Sequence, residues 1–305
     1  MYYAFVDVSP GLWIGFVALI LALLAIDFLL FGRRRITFRS SAVWSLGWMA
    51  LGIGFVLVVV ALDDWQSGGE YLSGYLIERS LSIDNIFVFA LIFTYFAVPI
   101  ERQGPLLSIG ILMALVLRAI FIVAGAALLD AFHFSVYLFG ALLVATGVKL
   151  ALHTSEEVHP DRNPAVRLLR RAWPGATVTA AVVVTLATTD LIFAIDSIPA
   201  IFAITDDTFI VFAANAFALL GLRSLYFMLA GMMDRFAYLS HGLAVILVFV
   251  GGKMLISDLW KIPTWLSLLV ILGILAAAIG LSLARGARGG GLDPPAERRP
   301  LEGAA

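Results

Sequence analysis

The chain has 305 residues, of which 62% are hydrophobic and 13% are charged, and its formal net charge is −1. Soluble domains carry roughly 25% charged residues, so this composition excludes an ordinary soluble protein. The absence of cysteine excludes disulfides, thiolate metal sites and thiol redox chemistry. The net charge indicates no particular partner, and we do not expect the protein to bind a nucleic acid.

Apolar runs of about 20 residues recur along the chain and predict an all-α polytopic membrane protein with about nine transmembrane helices. The first run follows Asp7 and lacks a basic flank and a signal-peptidase site, which indicates a retained helix. Residues 1–284 are predicted to form a single transmembrane domain, and residues 285–305, rich in Gly, Pro and Arg, a disordered cytoplasmic tail. The expected helices cover residues 10–31, 41–62, 70–97, 105–129, 134–152, 176–204, 208–233, 238–257 and 263–284.

Basic residues alternate between the two sides of these helices. One set of loops carries nearly all the arginines, whereas the other carries Lys261 and several aspartates. Because basic loops stay in the cytoplasm, we expect the N-terminus outside and the C-terminus inside, in the plasma (inner) membrane. The arginines of the first set, apart from those of the tail, are Arg33, Arg34, Arg35, Arg39, Arg102, Arg162, Arg167, Arg170, Arg171 and Arg235.

Two of the expected helices contain matched acidic motifs. Glu78 and Asp84 are six residues apart, as are Asp190 and Asp196, and each second acid follows Ile and precedes a small polar residue. A carboxylate within a bilayer costs several kcal/mol, so paired acids in two segments predict a cation site. The candidate ligands are oxygens: Glu78, Asp84, Asn85, Asp190 and Asp196. Such a set suits Mg²⁺, Ca²⁺ or Mn²⁺ and does not select Zn²⁺ or Cu²⁺.

The motifs begin two longer units, near residues 70–152 and 176–257, with landmarks in the same order. Each unit contains an arginine in its second helix, Arg118 or Arg223, and ends in a glycine-lysine stretch at Lys149 or Lys253. Units of three helices cross the membrane in opposite directions, so the sequence predicts an inverted repeat with its site near the midplane.

A straight helix would point residues six apart roughly 120° away from each other, about 9 Å apart along the axis. Both acids of a motif could then not face one ion, and we expect the helices to unwind or kink near Asp84 and Asp196. Ser80, Ser82 and Pro199 are residues that favour such a break.

The buried charges also permit a structural interpretation, in which the acids only form salt bridges that hold the bundle together. We expect Arg79 to pair with an acid, and Arg118 and Arg223 to neutralise the site when it holds no ion. Lys149 and Lys253 complete the predicted charge pairs. Asp27, near the end of the first helix, is expected to be paired rather than functional.

The stretches Glu78–Asn85, Thr189–Ala200 and Asn215–Phe227 resemble signatures of the TerC/Alx family of integral membrane proteins. The resemblance covers about residues 10–284. It implies a fold related to LysE-type transporters, export of Mn²⁺, an association with tellurium resistance, and an acidic ion site at Glu78, Asp84, Asp190 and Asp196. The family pattern has an acid where this chain has Ala187, and the missing carboxylate lowers the charge of the site.

The main hypothesis is a secondary transporter that exports a divalent ion by alternating access. The expected substrate is Mn²⁺, and protons are the ion exchanged for it. Clustered carboxylates in an apolar site can trade protons for a divalent ion. The alternative is a non-transporting membrane scaffold in a stress-response or membrane-protein assembly complex. An enzyme is not expected, because there is no H-E-x-x-H motif and no cysteine nucleophile. We expect no cofactor, with the divalent ion and membrane lipid as partners and protein partners left open.

Overall fold

A computed structural model describes residues 9–31, 37–132, 134–152, 171, 177–229, 238–260 and 262–289. The elements in these ranges are ten α-helices, without any strand, which confirms the predicted all-α class. The helices are α1 (Pro10–Phe31), α2 (Phe38–Leu62), α3 (Trp65–Tyr95), α4 (Ile100–Ala131), α5 (Phe134–Leu152), α6 (Val178–Phe202), α7 (Thr208–Leu219), α8 (Leu222–Leu229), α9 (Leu239–Leu255) and α10 (Thr264–Gly289). The predicted disordered tail lies beyond the described residues from 290 onward.

Six of the described helices are long and apolar enough to cross a membrane: α1, α2, α4, α5, α6 and α10. The bent pair α7–α8 makes a seventh if it counts as one span. Helix α3 is 31 residues long but carries Glu78, Arg79 and Asp84 in its middle, and α9 has 17 residues. The total of nine spans therefore stays a prediction. Helix α3 differs from the six apolar spans by its charged residues, and α9 differs from them by its shorter length.

Polar residues outside the apolar runs fix where several helices begin. Thr37, Asp64, Thr177 and Asp207 each accept a hydrogen bond from a backbone N–H in the first turn of the helix that follows. Such caps satisfy N–H groups that have no partner within the helix. Two aspartates of the acidic loops, Asp64 and Asp207, thus have a structural role in starting α3 and α7.

The largest core cluster joins α3, α4, α6, α7 and α8 and is extended by the α1–α2 pair. Aromatic rings make this junction: Phe16 of α1 and Phe55 of α2 pack against Phe209 and Phe217 of α7. Offset and edge-to-face ring pairs of this kind add to the stabilisation from burial. The first two helices are therefore integral to the bundle and cover α7.

Glycines bring α5 and α9 into backbone contact. A methyl group on Gly251 would lie 2.7 Å from the carbonyl oxygen of Gly140, and one on Gly147 would lie 2.8 Å from that of Ala244. The higher-numbered glycine of α5 thus meets the lower-numbered residue of α9, so the two helices are antiparallel. Small residues at such a crossing allow the close approach that packs helices in membranes.

The other pairs have directions related in the same way. Gly110 and Gly125 of α4 face Leu186 and Phe202 of α6 in the same order, so these helices run parallel. Gly74 of α3 faces Ala214 of α7, and Arg79 further along α3 binds the carbonyl of Ala218, so α3 and α7 also run parallel.

The two predicted units correspond helix by helix: α3 to α6, α4 to α7–α8, and α5 to α9. When corresponding helices are exchanged, the α3–α7 contact becomes the α6–α4 contact, and the α5–α9 contact stays the same. An inverted repeat requires these directions. The packing is compatible with the predicted repeat, which stays a prediction.

The predicted breaks within the acidic motifs are not present. Helices α3 and α6 continue through residues 84 and 196. The hydroxyl of Ser80 donates to the carbonyl of Leu76 without interrupting the helix, and Pro199 falls in the last turn of α6, where little helix remains to be bent.

The break lies instead in the expected span 208–233. Helices α7 and α8 meet at an angle of 43°. The joint includes Gly221, whose φ is +72°, a left-handed conformation that glycine adopts without the cost of a side chain. Residues 230–233, at the end of that predicted span, lie outside the described part of the chain.

Candidate ion site

The side chain of Arg118 lies at the centre of the bundle and contacts three other helices. It comes from the middle of α4 and reaches Glu78 on α3, Asp190 on α6 and Asn215 on α7. All four residues are at most 2% exposed, and Arg118 and Glu78 are completely buried. The parallel pairs α3–α7 and α4–α6 thus meet at one polar cluster, which we name the Arg118 cluster (Glu78, Arg118, Asp190, Asn215).

Arg118 donates to every other member of the cluster. Its Nε lies 2.9 Å from Oδ2 of Asp190 and its Nη2 lies 3.1 Å from Oδ1, which makes a bidentate pair. Its Nη1 donates to Oε1 of Glu78 and, over 2.8 Å, to Oδ1 of Asn215. The amide of Asn215 in turn donates to the carbonyl of Val211 over 3.0 Å. A planar guanidinium can donate to several side chains at once because its N–H groups point in fixed directions.

The charges of the cluster do not cancel. One guanidinium faces two carboxylates, and the second oxygen of Glu78, Oε2, has no hydrogen-bond partner in the described part of the chain. An unpaired carboxylate oxygen in a water-free interior is costly. If both acids are ionised, the cluster has a net charge of −1 and an open acceptor, so it would attract a further cation.

A small cavity of about 10 Å³ adjoins Asp190. This is close to the smallest space that holds one water molecule. Apart from Asp190 its walls are apolar and come from α3, α4, α6 and α8: Phe89, Leu107, Gly110, Ile111, Ala114, Leu186 and Leu222. Asp190 therefore contacts the guanidinium of Arg118 and also lines a small cavity with otherwise apolar walls.

The remaining predicted ligands do not all join this cluster. Asp196 accepts a hydrogen bond of 3.0 Å from Thr146 on α5, so it points toward a different helix, as a straight α6 requires. Asn85 is buried on α3, and the side chain of Asp84 lies outside the described part. Among the described residues no group of three or more acidic or histidine side chains could hold a metal ion.

Unsatisfied hydroxyl groups accompany the motifs. The side chains of Ser82 and Ser197 are buried, and within the described residues neither hydroxyl has a hydrogen-bond partner. Ala187 is also buried, one turn before Asp190. Position 187, where the resemblance leads us to expect an acid, is therefore inside the protein and apolar in this chain.

Two predicted charge pairs are different in the structure. Arg79 donates from Nη1 to the carbonyls of Ala218 and Leu220, over 2.9 and 3.0 Å, instead of to a carboxylate. Arg223 is expected to neutralise the motif acids, but its contacts within the described residues include Asp27, at 4.0 Å, and Ser108, to which it donates over 2.8 Å. The reason for both differences is the break between α7 and α8, which frees carbonyls near Arg79 and turns Arg223 toward α1 and α4. Asp27 is paired, as expected.

The two lysines of the predicted charge pairs lie near helix ends. Lys149 is exposed in the last turn of α5. Lys253 is in the last turn of α9 and interacts electrostatically with Glu70 and Asp206. Glu70 belongs to the first turns of α3, and Asp206 belongs to the loop before α7. The helices that carry these lysines, α5 and α9, supply no member of the Arg118 cluster.

Asn215 is a site residue that the sequence reasoning did not single out. It belongs to a completely buried helix whose other residues are apolar apart from Thr208. A buried amide must find partners, so an asparagine within such a run was the available signal.

Comparison with known proteins places most of the chain in one family. Residues 63–289 match the model of the family described as "Integral membrane protein TerC family". The chain belongs to the TerC family. The matched region begins just before α3 and includes every member of the Arg118 cluster, so the cluster lies in the part that the TerC model describes, whereas α1 and α2 precede it.

Named relatives of this TerC protein cover nearly the whole chain. It is 46% identical over 299 residues to "Uncharacterized membrane protein STKORF319" of Myxococcus xanthus, covering 90% of this chain and 92% of that protein. It is 44% identical over 297 residues to "Putative membrane-bound redox modulator Alx" of Escherichia coli strain K12, covering 88% and 92%. An "Uncharacterized membrane protein" of Rickettsia felis is 34% identical over 296 residues, covering 90% and 97%. No solved structure matches the chain.

Proposed function

We propose that this TerC protein is a secondary transporter that exports a divalent metal ion from the cytoplasm by alternating access. Mn²⁺ is the substrate that we expect. The observation that carries the proposal is the Arg118 cluster: Glu78 and Asp190, from helices with matched motifs, face one guanidinium in the middle of the bundle. Ionisable residues deep in a membrane protein usually mark an ion path.

Arg118 has the role of an internal cation in this proposal. Without a bound ion it neutralises one of the two negative charges and supplies four hydrogen bonds to Asp190, Glu78 and Asn215. An entering divalent ion finds Oε2 of Glu78 open, but to bind Asp190 as well it must displace the guanidinium, because both oxygens of Asp190 accept hydrogen bonds from Arg118. The ion and Arg118 therefore compete for the same oxygens.

This competition gives the site a weak and reversible affinity, which transport requires. A site of carboxylates alone would bind a divalent ion tightly and would leave two buried charges unpaired after release. With Arg118 present and both acids ionised, the cluster carries a net charge of −1 when empty instead of −2, so release of the ion leaves less uncompensated charge. Oxygen ligands favour Mn²⁺, Mg²⁺ or Ca²⁺ over softer metals, and protons are the ion that returns.

The test is the flux of Mn²⁺ into proteoliposomes that contain the purified protein, with imposed gradients of pH and voltage and with Ca²⁺ and Mg²⁺ as competitors. We expect Asp190→Asn to lower the flux at least about tenfold, as for loss of a metal-site residue. That variant keeps the pair between Arg118 and Glu78, so it should remain folded. Glu101→Gln, which changes an exposed acid at the start of α4, is the control and should transport normally.

Two outcomes contradict the proposal. Wild-type protein that is folded but carries no divalent ion under any gradient is not a transporter. Normal Mn²⁺ flux in Asp190→Asn would show that ions pass elsewhere in the molecule.

A second candidate function is a membrane scaffold, and the completeness of the Arg118 contacts favours it. A guanidinium that binds two acids and an amide is also what a purely structural ion cluster needs. In that case Glu78→Gln and Asp190→Asn would change stability and partner capture, whereas no ion flux would occur in the wild type.

A further inference from the structure

The joint between α7 and α8 is fixed on two sides. On one side, Arg79 donates from a single nitrogen to the carbonyls of Ala218 and Leu220, which the end of α7 leaves without helical partners. On the other side, a methyl group on Gly221 would lie 2.5 Å from the indole of Trp48 on α2. The break is thus a built feature, held by contacts from α3 and α2.

The two sides of the joint are attached to different parts of the bundle. Helix α7 carries Asn215 of the Arg118 cluster, one turn before the carbonyl of Ala218 that Arg79 binds. Helix α8 is bound to α4 by two side-chain hydrogen bonds, from Arg223 to Ser108 over 2.8 Å and from Tyr226 to Gln103 over 2.9 Å.

The α4–α8 contact covers the cavity next to Asp190. Leu222, the first residue of α8, and Ala114 of α4 are both part of the cavity wall. Separating α8 from α4 would therefore open the approach to Asp190 from the end of the molecule where α8 ends. In the expected orientation that end is cytoplasmic.

We propose that α8 is the segment that opens and closes this approach, turning at Leu220–Gly221, and that Arg79 is the positioning residue that keeps the end of α7 in place while α8 moves. The polar bonds from Arg223 and Tyr226 hold the closed state. This inference rests on the proposed function for its role in transport, but the movement itself can be measured without any ion flux.

The chain has no cysteine, so a single introduced thiol reports on the cavity without background. In Ala114→Cys we measure the rate of reaction with a small charged methanethiosulfonate reagent. Removing both holding bonds, with Ser108→Ala and Tyr226→Phe, should increase this rate about tenfold, because two lost hydrogen bonds change the open population by about that factor. Phe132→Cys, at the exposed end of α4, is the control thiol, and its rate should not change.

Arg79 is tested in the same Ala114→Cys background. Arg79→Met removes both bonds to α7 and should change the labelling rate, whereas Arg79→Lys should restore the wild-type rate, because one ammonium group can donate to both carbonyls as Nη1 does. A role limited to stability would lower the unfolding temperature of Arg79→Met and leave its labelling rate at the wild-type value.

A cross-link tests the link to transport. Gly104 of α4 faces the ring of Phe227 on α8. Joining Gly104→Cys to Phe227→Cys with a reducible thiol reagent should stop Mn²⁺ flux, and reduction should restore it.

The results separate the two proposals. Labelling that is unchanged by Ser108→Ala with Tyr226→Phe, or flux that persists after complete cross-linking, overturns the role of α8. Labelling that increases as expected in a protein without wild-type flux supports the movement of α8 and refutes the transporter.

Discussion

Replacing Arg118 by methionine is the most informative single perturbation of this structure. The change keeps a long apolar stem but removes the charge and all four hydrogen bonds to Asp190, Glu78 and Asn215. Two carboxylates with at most 2% exposure then face each other without a counter-charge.

The expected cost follows from the loss of a buried charge partner, which typically destabilises a protein by about 3–5 kcal/mol. Because a whole domain has only about 5–15 kcal/mol of stability, Arg118→Met should be folded but easily denatured. The assay is unfolding in mixed micelles, followed by circular dichroism, in the presence of a metal chelator. Adding Glu78→Gln and Asp190→Asn to Arg118→Met should recover most of the loss, because the remaining side chains are neutral.

The same variant distinguishes an ion site from a structural cluster. If the carboxylates can hold a divalent ion, Mn²⁺ should replace the missing guanidinium and restore stability, by about 2.7 kcal/mol at a concentration 100 times its Kd. The triple variant should gain nothing from Mn²⁺. The reasoning is refuted if Arg118→Met is as stable as the wild type in chelator, or if the triple variant is no more stable than Arg118→Met.

Three further substitutions test the packing. Gly221→Ala should destabilise the protein by at least about 1 kcal/mol in the same unfolding assay, because φ is +72° there and Trp48 leaves no room for a methyl group. The control Gly252→Ala adds its methyl group in open space and should be neutral or stabilising. Equal effects of the two substitutions would contradict the argument. Gly251→Ala should push α9 away from α5 and lower the unfolding midpoint, since its methyl group would lie 2.7 Å from a carbonyl oxygen of α5; an unchanged midpoint would mean that the contact is adjustable. Thr146→Val should cost about 1 kcal/mol by removing the hydrogen bond to Asp196, and no loss would show that water replaces it.

The apolar pattern predicts the first and fifth helices with the bounds that the structure has, 10–31 and 134–152. Length and apolarity determine such helices almost alone, because the bilayer requires both. The joint at Leu220–Gly221 could not be predicted in this way. It lies in the short apolar stretch between Asn215 and Arg223, and the contact with Trp48 and the bonds from Arg79 stabilise the break.

At the site, the sequence predicts that Glu78 and Asp190 come together and that Arg118 neutralises them. The helix geometry also indicates that two acids six residues apart point in different directions on a straight helix, and Asp196 binds Thr146 for this reason. The expected unwinding was wrong, because α3 and α6 continue as helices through residues 84 and 196. Which helix Arg79 and Arg223 face depends on a break that the sequence does not signal.

The composition of the Arg118 cluster also bears on how the chain is synthesised. Glu78 and Arg118 belong to the first half and leave the ribosome well before Asp190 and Asn215. The pair between Glu78 and Arg118 can form once α3 and α4 are both in the membrane, before α6 and α7 have been made. Asp190 then enters a bilayer in which its counter-ion is already present, and the arrival of α6 and α7 completes the buried contacts in the order of translation.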